Sequence, residues 1–520
     1  VNGLHLDIKW SMYQPEYFET ILSQAAELGI DTILLEFENK LFFDWLKPAL
    51  HPEHWTKGEL KAFLASAKQK HLTVIPSVPL LGHMEWILQW PKWAYLRENN
   101  DFHEICPSHP AAPEFVGRLL AETIRLFPDA PMIHLGGDES RSLGTCPSCK
   151  TKSKADLYVA HYRPLIEQVE RAGKRAMLYG DILLAHPEIL EKIPRSVVIC
   201  DWDYWSGQNT VCRIWGSPVQ VKPGESWTKV PVPLRQFKKY FLDYEDRLID
   251  FPYAAFLKDQ GFDVVTLSAA RSCGDNYCAP LTRWHVLNAM AGARTARAHN
   301  LMGTIITSWQ VRFNHLETNW PAIAASAWSY QDPSLSYEHL SDRFATEFFG
   351  LTWPTIFNDL NLLWEDLPGI RGGHSNPCPP NYNPPYLRCL YQDPDSEHSR
   401  YLEKQQPVSL KAFRRGLACL NRRKTKVTRH AHAYDHWLLA AETLVHKARI
   451  EPVLKRLIQG QKISPTLRAH LVNESHVLAD RHHKLFGKTI LPQSMQMELE
   501  VRFGEPLAIL QGKRYPADPD

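Results

Sequence analysis

Met132-Ile133-His134-Leu135-Gly136-Gly137-Asp138-Glu139 is a short apolar run that ends in two glycines and two adjacent carboxylates. The run reads as a strand. Its glycines let the backbone turn and let a ligand come close. A strand that delivers two acids at its C-terminal end matches a barrel enzyme, whose chemistry sits on the rim of strand ends. Two acids in one pocket cannot both ionise freely, so their surroundings can set their pKa values apart. One then holds a proton for a leaving group while the other stays charged. Adjacent Asp-Glu pairs also occur as solvated loop or helix N-cap residues, so the rest of the chain has to decide.

Outward from this run, apolar strands alternate with helical patterns. Strands are expected over 4–8, 32–37, 72–76, 132–135, 175–179, 197–202, 263–267 and 303–309. Helices are expected over 15–28 (stopping near Gly29), 58–70, 112–127, 156–172, 186–193, 281–298 and 320–330, with a two-helix stretch between 234 and 260. Strands that are apolar throughout are buried on both faces and hence parallel. About eight such units predict an α/β protein, a (β/α)8 TIM barrel occupying residues 1–350. A doubly wound open sheet is the alternative, although no G-x-G-x-x-G follows the first strand. Residues 351–398 are rich in Pro, Gly and Asn and read as a loop or linker. Residues 399–520 read as a helical C-terminal region, with a partly extended tail after about 495.

The strand ends collect an unusual set. The first leads to Asp7, Lys9 and Trp10, the second to Glu36, Glu38 and Asn39, and the third to His83. The fourth gives Asp138 and Glu139, and the fifth gives Tyr179 and Asp181. The sixth gives Asp201, Trp202, Asp203, Tyr204 and Trp205, the seventh Arg271, and the eighth Trp309 and Gln310. Carboxylates accept from hydroxyls, and aromatic rings stack on the C–H faces of sugars. The rim therefore suits a neutral, hydroxyl-rich ligand and suits a phosphate poorly, since few basic groups stand there.

Composition agrees with that ligand class. The chain of 520 residues is 44% hydrophobic and 22% charged, with a formal net charge of +2, so neither nucleic acid nor an anionic membrane is an expected partner. No apolar run is long enough to span a bilayer. The ten Cys show no regular disulfide framework, which points to reduced thiols and a cytoplasmic location. The N-terminus lacks a basic-then-apolar leader and an initiator Met, so a trimmed leader stays open. Cys146-Pro147-Ser148-Cys149 has several readings. With Cys106 and His103 it suits a structural zinc; a disulfide, a redox motif or unligated thiols are the alternatives. Cys273 and Cys278 form a second pair.

His134-Leu135-Gly136-Gly137-Asp138-Glu139 resembles the H-x-G-G-D-E motif of the exo-β-N-acetylhexosaminidases of glycoside hydrolase family 20. Leu81-Gly82-His83 resembles that family's P-G-H segment, and Trp202 and Trp309 stand where it places pocket tryptophans. The resemblance covers about residues 3–330, and the layout is most similar to the hexosaminidase D branch. It implies a retaining enzyme that releases terminal β-linked GlcNAc or GalNAc by substrate-assisted catalysis, with no cofactor needed for the reaction. Its partner would be a glycan or glycoconjugate. Glu139 would be the acid and base, and Asp138 would orient the substrate's acetamido group. Tyr204 would bind the acetamido carbonyl, and Trp202, Trp309 and Tyr179 would wall the sugar. His83 and Glu38 would tune Glu139. The family often carries an Arg after strand one where this chain has Lys9, so Lys9 or Asp7 would grip the hydroxyls. Many members have Trp at the Tyr179 position, and often W-x-E where Trp309-Gln310-Val311 stands. A carbohydrate-binding protein without turnover, or a barrel glycosidase using two carboxylates directly, are the alternatives.

Overall fold

The computed structural model describes residues 1–208, 212–217, 219–221, 227–245, 247–272, 275–310, 315–364, 367–368 and 386–513. Eight parallel strands close a barrel: β1 (Asn2–Asp7), β2 (Thr32–Glu36), β3 (Thr73–Ser77), β4 (Met132–His134), β5 (Arg175–Tyr179), β6 (Val198–Trp202), β7 (Asp263–Arg271) and β8 (Gly303–Ser308). Each pairs with its neighbours in chain order, and β1 pairs with β8 from Asn2↔Thr304 to Leu6↔Ser308. Closure excludes the open doubly wound sheet. The strands are apolar throughout because both faces are covered. Leu34, Ile75, Met132, Met177, Val198, Val265, Leu267 and Ile305 form a separate inner cluster, which fills the barrel as packed layers.

The helices that cover the outside start and stop where local chemistry directs. Lys57–Gln69 opens on a capping box, with Thr56 Oγ1 accepting from the Glu59 N–H (3.2 Å) and Glu59 accepting from the Thr56 N–H (2.7 Å). Pro15–Glu27 ends before Gly29, which takes a φ of 81°. The helix expected at 186–193 is absent: Asp181–Ala185 is a short helix followed by one 3₁₀ turn, Pro187–Ile189. Pro187 removes a donor there and stops propagation.

Within 351–398, Ile356–Asn361 and Tyr386–Tyr391 are helical, while the Pro-rich core of that segment, 369–385, lies outside the described residues. Beyond it run Glu397–Asn421, Ala431–Ile458 and Pro465–Phe486. The extended tail expected after 495 is instead helical over Pro492–Leu499 and Glu505–Gln511, joined by a wide turn at Glu500–Gly504. Met495, Phe503, Ile509 and Leu510 are buried there, and one apolar face packing on neighbouring helices outweighs weak local preference. This region packs on the strand-end side of the barrel. Met12 N–H donates to Ser494 Oγ at 2.9 Å, and Arg502 Nη1 donates to the Tyr277 carbonyl at 2.8 Å. Rings of His315 and His436 stack at 4.1 Å. Among the described residues no helix is long and apolar enough to cross a membrane.

Candidate active site

The Asp-Glu pair reaches the rim because β4 is only three residues long and the chain then turns sharply. Gly136 and Gly137 have φ of 73° and 95°. A Cβ on Gly136 would stand 3.0 Å from Pro79 Cα, and one on Gly137 would collide with the Tyr158 hydroxyl. His134 shapes the same turn, with its Nδ1 accepting from the Gly136 N–H at 3.2 Å. Burial lowers this imidazole to about 4, so it stays neutral and keeps that acceptor.

Asp138 and Glu139 converge on one imidazole. His83 Nε2 lies 3.3 Å from Asp138 Oδ2 and 3.6 Å from Glu139 Oε2. Burial works against charge on His83, but Asp138, and then Glu85, push it up to about 10. Burial would raise the Asp138 carboxyl; the charge and hydrogen bond of His83 outweigh that and hold it below the usual range. His83 and Glu139 both adopt left-handed backbone, with φ of 55° and 47°, a conformation that costs energy in residues with side chains and persists where the surroundings enforce it. For Glu139 the enforcing group is Asp181, whose Oδ2 accepts from the Glu139 N–H at 2.9 Å. Asp181 also accepts from Trp202 Nε1 at 3.3 Å. Burial, reinforced by Asp138, raises Asp181 to about 7. Arg141 Nη2 donates to Glu139 Oε1 at 3.0 Å.

The aromatic wall is continuous. Trp309 Nε1 donates to the Tyr204 hydroxyl at 2.8 Å, and the rings of Trp202 and Tyr204 lie 5.2 Å apart. Burial raises the Tyr204 phenol, and Asp138 and Glu139 raise it further. Tyr179 packs against His134 at 4.2 Å, and its hydroxyl is buried without a hydrogen-bond partner among the described residues. Burial raises it well above the ordinary value, with Glu36 and Asp138 adding to the effect.

A second acid cluster fills the rim at β1 and β2. Lys9 Nζ lies 2.6 Å from Glu36, 3.6 Å from Asp7 and 3.7 Å from Glu38, and 4.7 Å over the Trp309 ring. Burial disfavours charge on Lys9, but Asp7, Glu36 and Glu38 raise it well above its ordinary value. Burial would raise Glu36; Lys9 and His5 bring it far below the carboxylate range. Burial raises Glu38 to about 8 despite Lys9. The expected pairing of Glu38 with His83 is thus replaced: Glu38 turns to Lys9, and the acids that act on His83 are Asp138 and Glu85. Gln310 ties this side shut. Its Oε1 accepts from the Trp10 and Ser11 N–H groups at 3.0 and 2.8 Å, and its own N–H donates to Asp7 Oδ2 at 2.9 Å. Val311 lies outside the described residues.

Other strand-end residues serve the scaffold. Arg271 is buried and donates to Thr318 Oγ1 and the Asn276 carbonyl. Asp203 accepts from the N–H groups of Trp205 and Ser206 at 2.8 and 2.9 Å. His103, expected beside the thiols, instead places Nδ1 2.6 Å from Glu85 Oε1 and its ring 4.6 Å from that of His83. The residue that joins Cys106, Cys146 and Cys149 is Glu98, and this buried cluster can hold a metal ion. Those thiols are free, which replaces the disulfide reading. Cys273 lies outside the described residues. Sequence reasoning placed Asp181 on the rim and His134 in the acid-pair motif but gave neither a role. Arg141 and Glu85 were not singled out, and nothing in their spacing sets them apart from surface residues.

Residues 22–217 match the family model described as the catalytic domain of glycosyl hydrolase family 20. Hexosaminidase D of Homo sapiens is 28% identical over 216 residues, 39% of this chain and 44% of that protein. Hexosaminidase D of Bos taurus is 27% identical over 214 residues, 39% of this chain and 62% of that protein. The matched stretch thus spans about half the length of these curated relatives. Among solved structures, the family 20 exo-β-N-acetylglucosaminidase of Vibrio harveyi aligns with 65% of this chain and 55% of its own, at 17% identity and a TM-score of 0.45. The stretch that matches the family 20 catalytic domain, residues 22–217, contains β4 and its acid pair.

Proposed function

We propose that the protein is a retaining exo-β-N-acetylhexosaminidase that releases terminal β-linked GlcNAc or GalNAc from a glycan or glycoconjugate. The observation that carries this reading is the meeting of Asp138 and Glu139 at one His83 nitrogen, 3.3 and 3.6 Å away. In this mechanism the substrate's acetamido oxygen attacks the anomeric carbon as the glycosidic bond breaks. Glu139 gives its proton to the departing oxygen, and an oxazolinium forms. Water deprotonated by Glu139 then opens that ring, and two displacements at one carbon return the original anomer. An internal nucleophile gains from proximity, with effective molarities of roughly 10⁵–10⁸ M in well-oriented systems.

Asp138 suits the orienting role because His83 keeps it ionised; a fixed anion stabilises the positive charge that grows on the amide. Tyr204 already accepts from Trp309, so its own O–H is left to donate to the acetamido carbonyl. Trp202, Trp309 and Tyr179 supply apolar faces for the methyl group and the ring. Lys9 and Asp7 take the place of the family's arginine toward the sugar hydroxyls, with Glu38 beside them. The bond-breaking step runs on side chains and the substrate's amide, so a metal at the thiol cluster would serve the loop's fold. The free thiols support a cytoplasmic location within the same reading.

The test is hydrolysis of aryl β-GlcNAc and β-GalNAc, with and without 6-sulfate, with the product anomer followed by NMR. Retention and tight inhibition by a thiazoline mimic of the oxazolinium are expected. Inversion, or a thiazoline that binds no better than the free sugar, overturns the mechanism. Tight sugar binding without turnover would return the protein to the carbohydrate-binding class.

A further inference from the structure

We propose that Glu98, Cys106, Cys146 and Cys149 bind one zinc ion that pins the loop after β4 to the loop after β3. Glu98 belongs to a small hairpin, Arg97–Glu98 with Asp101–Ile105, in the loop after β3, and Cys106 follows that hairpin directly. Cys146 and Cys149 are the C-x-x-C of the loop after β4. One donor atom from each residue lies within 4.8 Å of the others, and all four residues are buried.

The sulfur spacing favours a metal. Cys106 Sγ is 3.6 Å from the sulfurs of both Cys146 and Cys149. A disulfide holds its sulfurs about 2.05 Å apart. Zinc–sulfur bonds of about 2.3 Å at tetrahedral angles hold them about 3.8 Å apart. The carboxylate supplies an independent observation. Glu98 is fully buried, and its Oε1 accepts from the N–H groups of Thr145 and Cys146 at 2.9 and 2.8 Å. Its Oε2 is buried with no hydrogen-bond partner among the described residues. Beyond those two N–H groups the Glu98 side chain meets only the three thiols, weak donors whose S–H protons a metal ion would displace.

Three thiolates and one carboxylate carry the same formal charge as four thiolates. Soft sulfur in a tetrahedral set selects zinc over magnesium or calcium. On binding, each thiol exchanges its S–H for an S–Zn bond and releases its proton to solvent. Four protein donors close the coordination sphere, so the site is structural. Its place gives it a consequence at the rim, because the segment it anchors also holds Arg141 against Glu139 and the Ser142 N–H on Glu104 at 2.9 Å.

The full chain, purified without chelator, should contain one zinc by elemental mass spectrometry. Exchange for Co²⁺ should give tetrahedral d–d bands and thiolate-to-metal charge-transfer absorption. Cys146→Ser and Cys149→Ser should lose both, and Cys389→Ser, which removes an exposed thiol elsewhere, should keep both. Glu98→Gln should weaken zinc by at least about tenfold in chelator competition, the lower end seen even for outer-shell partners. A parent chain with no metal and no cobalt spectrum overturns the proposal, whatever the variants do. Unchanged cobalt spectra in Cys146→Ser and Cys149→Ser overturn it too, and unchanged affinity in Glu98→Gln removes the carboxylate from the site.

Discussion

Two clusters of carboxylates stand on one barrel rim, and they differ in the cation each surrounds. Asp7, Glu36 and Glu38 face Lys9, a side chain that stays charged at any working pH. Asp138 and Glu139 face His83, whose charge can be removed. The first cluster is closed over by Gln310 and the strand-one loop; in the second, the Glu139 side chain remains 35% exposed. The same residue types thus make a fixed electrostatic platform on one side and a group open to proton exchange on the other. In the proposed reaction the chemistry falls to the second, because a proton must leave and return within each turnover.

The sharpest way to break this contrast is to neutralise the open side. Glu139→Gln and Asp138→Asn should each lower kcat on aryl substrates by about 10²–10⁴-fold while leaving the thermal midpoint within a few degrees. A large loss of stability with little change in kcat would exchange the roles of the two clusters. Lys9→Met should act mainly on stability and, because this reading turns Lys9 toward the sugar hydroxyls, should raise KM as well. It leaves buried carboxylates without their cation, and should cost about 3–5 kcal/mol in denaturant unfolding. Tyr204→Phe removes one hydroxyl that this reading aims at the acetamido carbonyl. It should reduce kcat/KM by about 10–100-fold, the range for a hydrogen bond to a charged partner, with thiazoline affinity falling in parallel. If thiazoline affinity holds, the phenol serves only its neighbours Trp309 and Thr307.

A further expected effect is in stability against pH. The folded protein keeps the His83 proton to about 10, whereas an unfolded chain releases it near 6.5. The contribution is therefore full below 6.5 and is lost as pH rises toward 10. Asp138, lowered by the same partner, contributes above its ordinary value and loses that contribution on acidification. The thermal midpoint should fall from pH 7 to 10, and His83→Gln should flatten that slope. A parent slope unchanged by the substitution would place the titration elsewhere.

The strands were legible because parallel barrel strands are apolar on both faces, so 32–37 and 175–179 announced themselves without alternation. The helix limit at Gly29 followed from backbone freedom, whereas the Thr56 capping box emerged only from the structure. What sequence hid was pairing at long range. Asn99 and Asn100, both left-handed at φ 48° and 64°, make the tight turn that brings Glu98 under the thiols, 48 residues from the Cys146 N–H it accepts. With that hairpin unrecognised, His103 was the natural fourth partner for the cysteines. Glu38 was assigned to His83 for the same reason: both stand at strand ends, and only coordinates reveal that Lys9 lies between competing carboxylates. The C-terminal tail was misread because its helices bury a single narrow face and carry little periodic signal of their own.

The bond from Gln310 to Asp7 spans 303 residues. It latches the barrel's last strand to its first at the mouth of the proposed pocket. A ribosome adding about 5–20 residues per second needs roughly 15–60 s to deliver the second half of that latch after the first. Throughout that interval β1 has one ladder edge uncovered and the mouth has no floor on that side. The ring therefore cannot close, nor the mouth be completed on that side, until its last strand has been made.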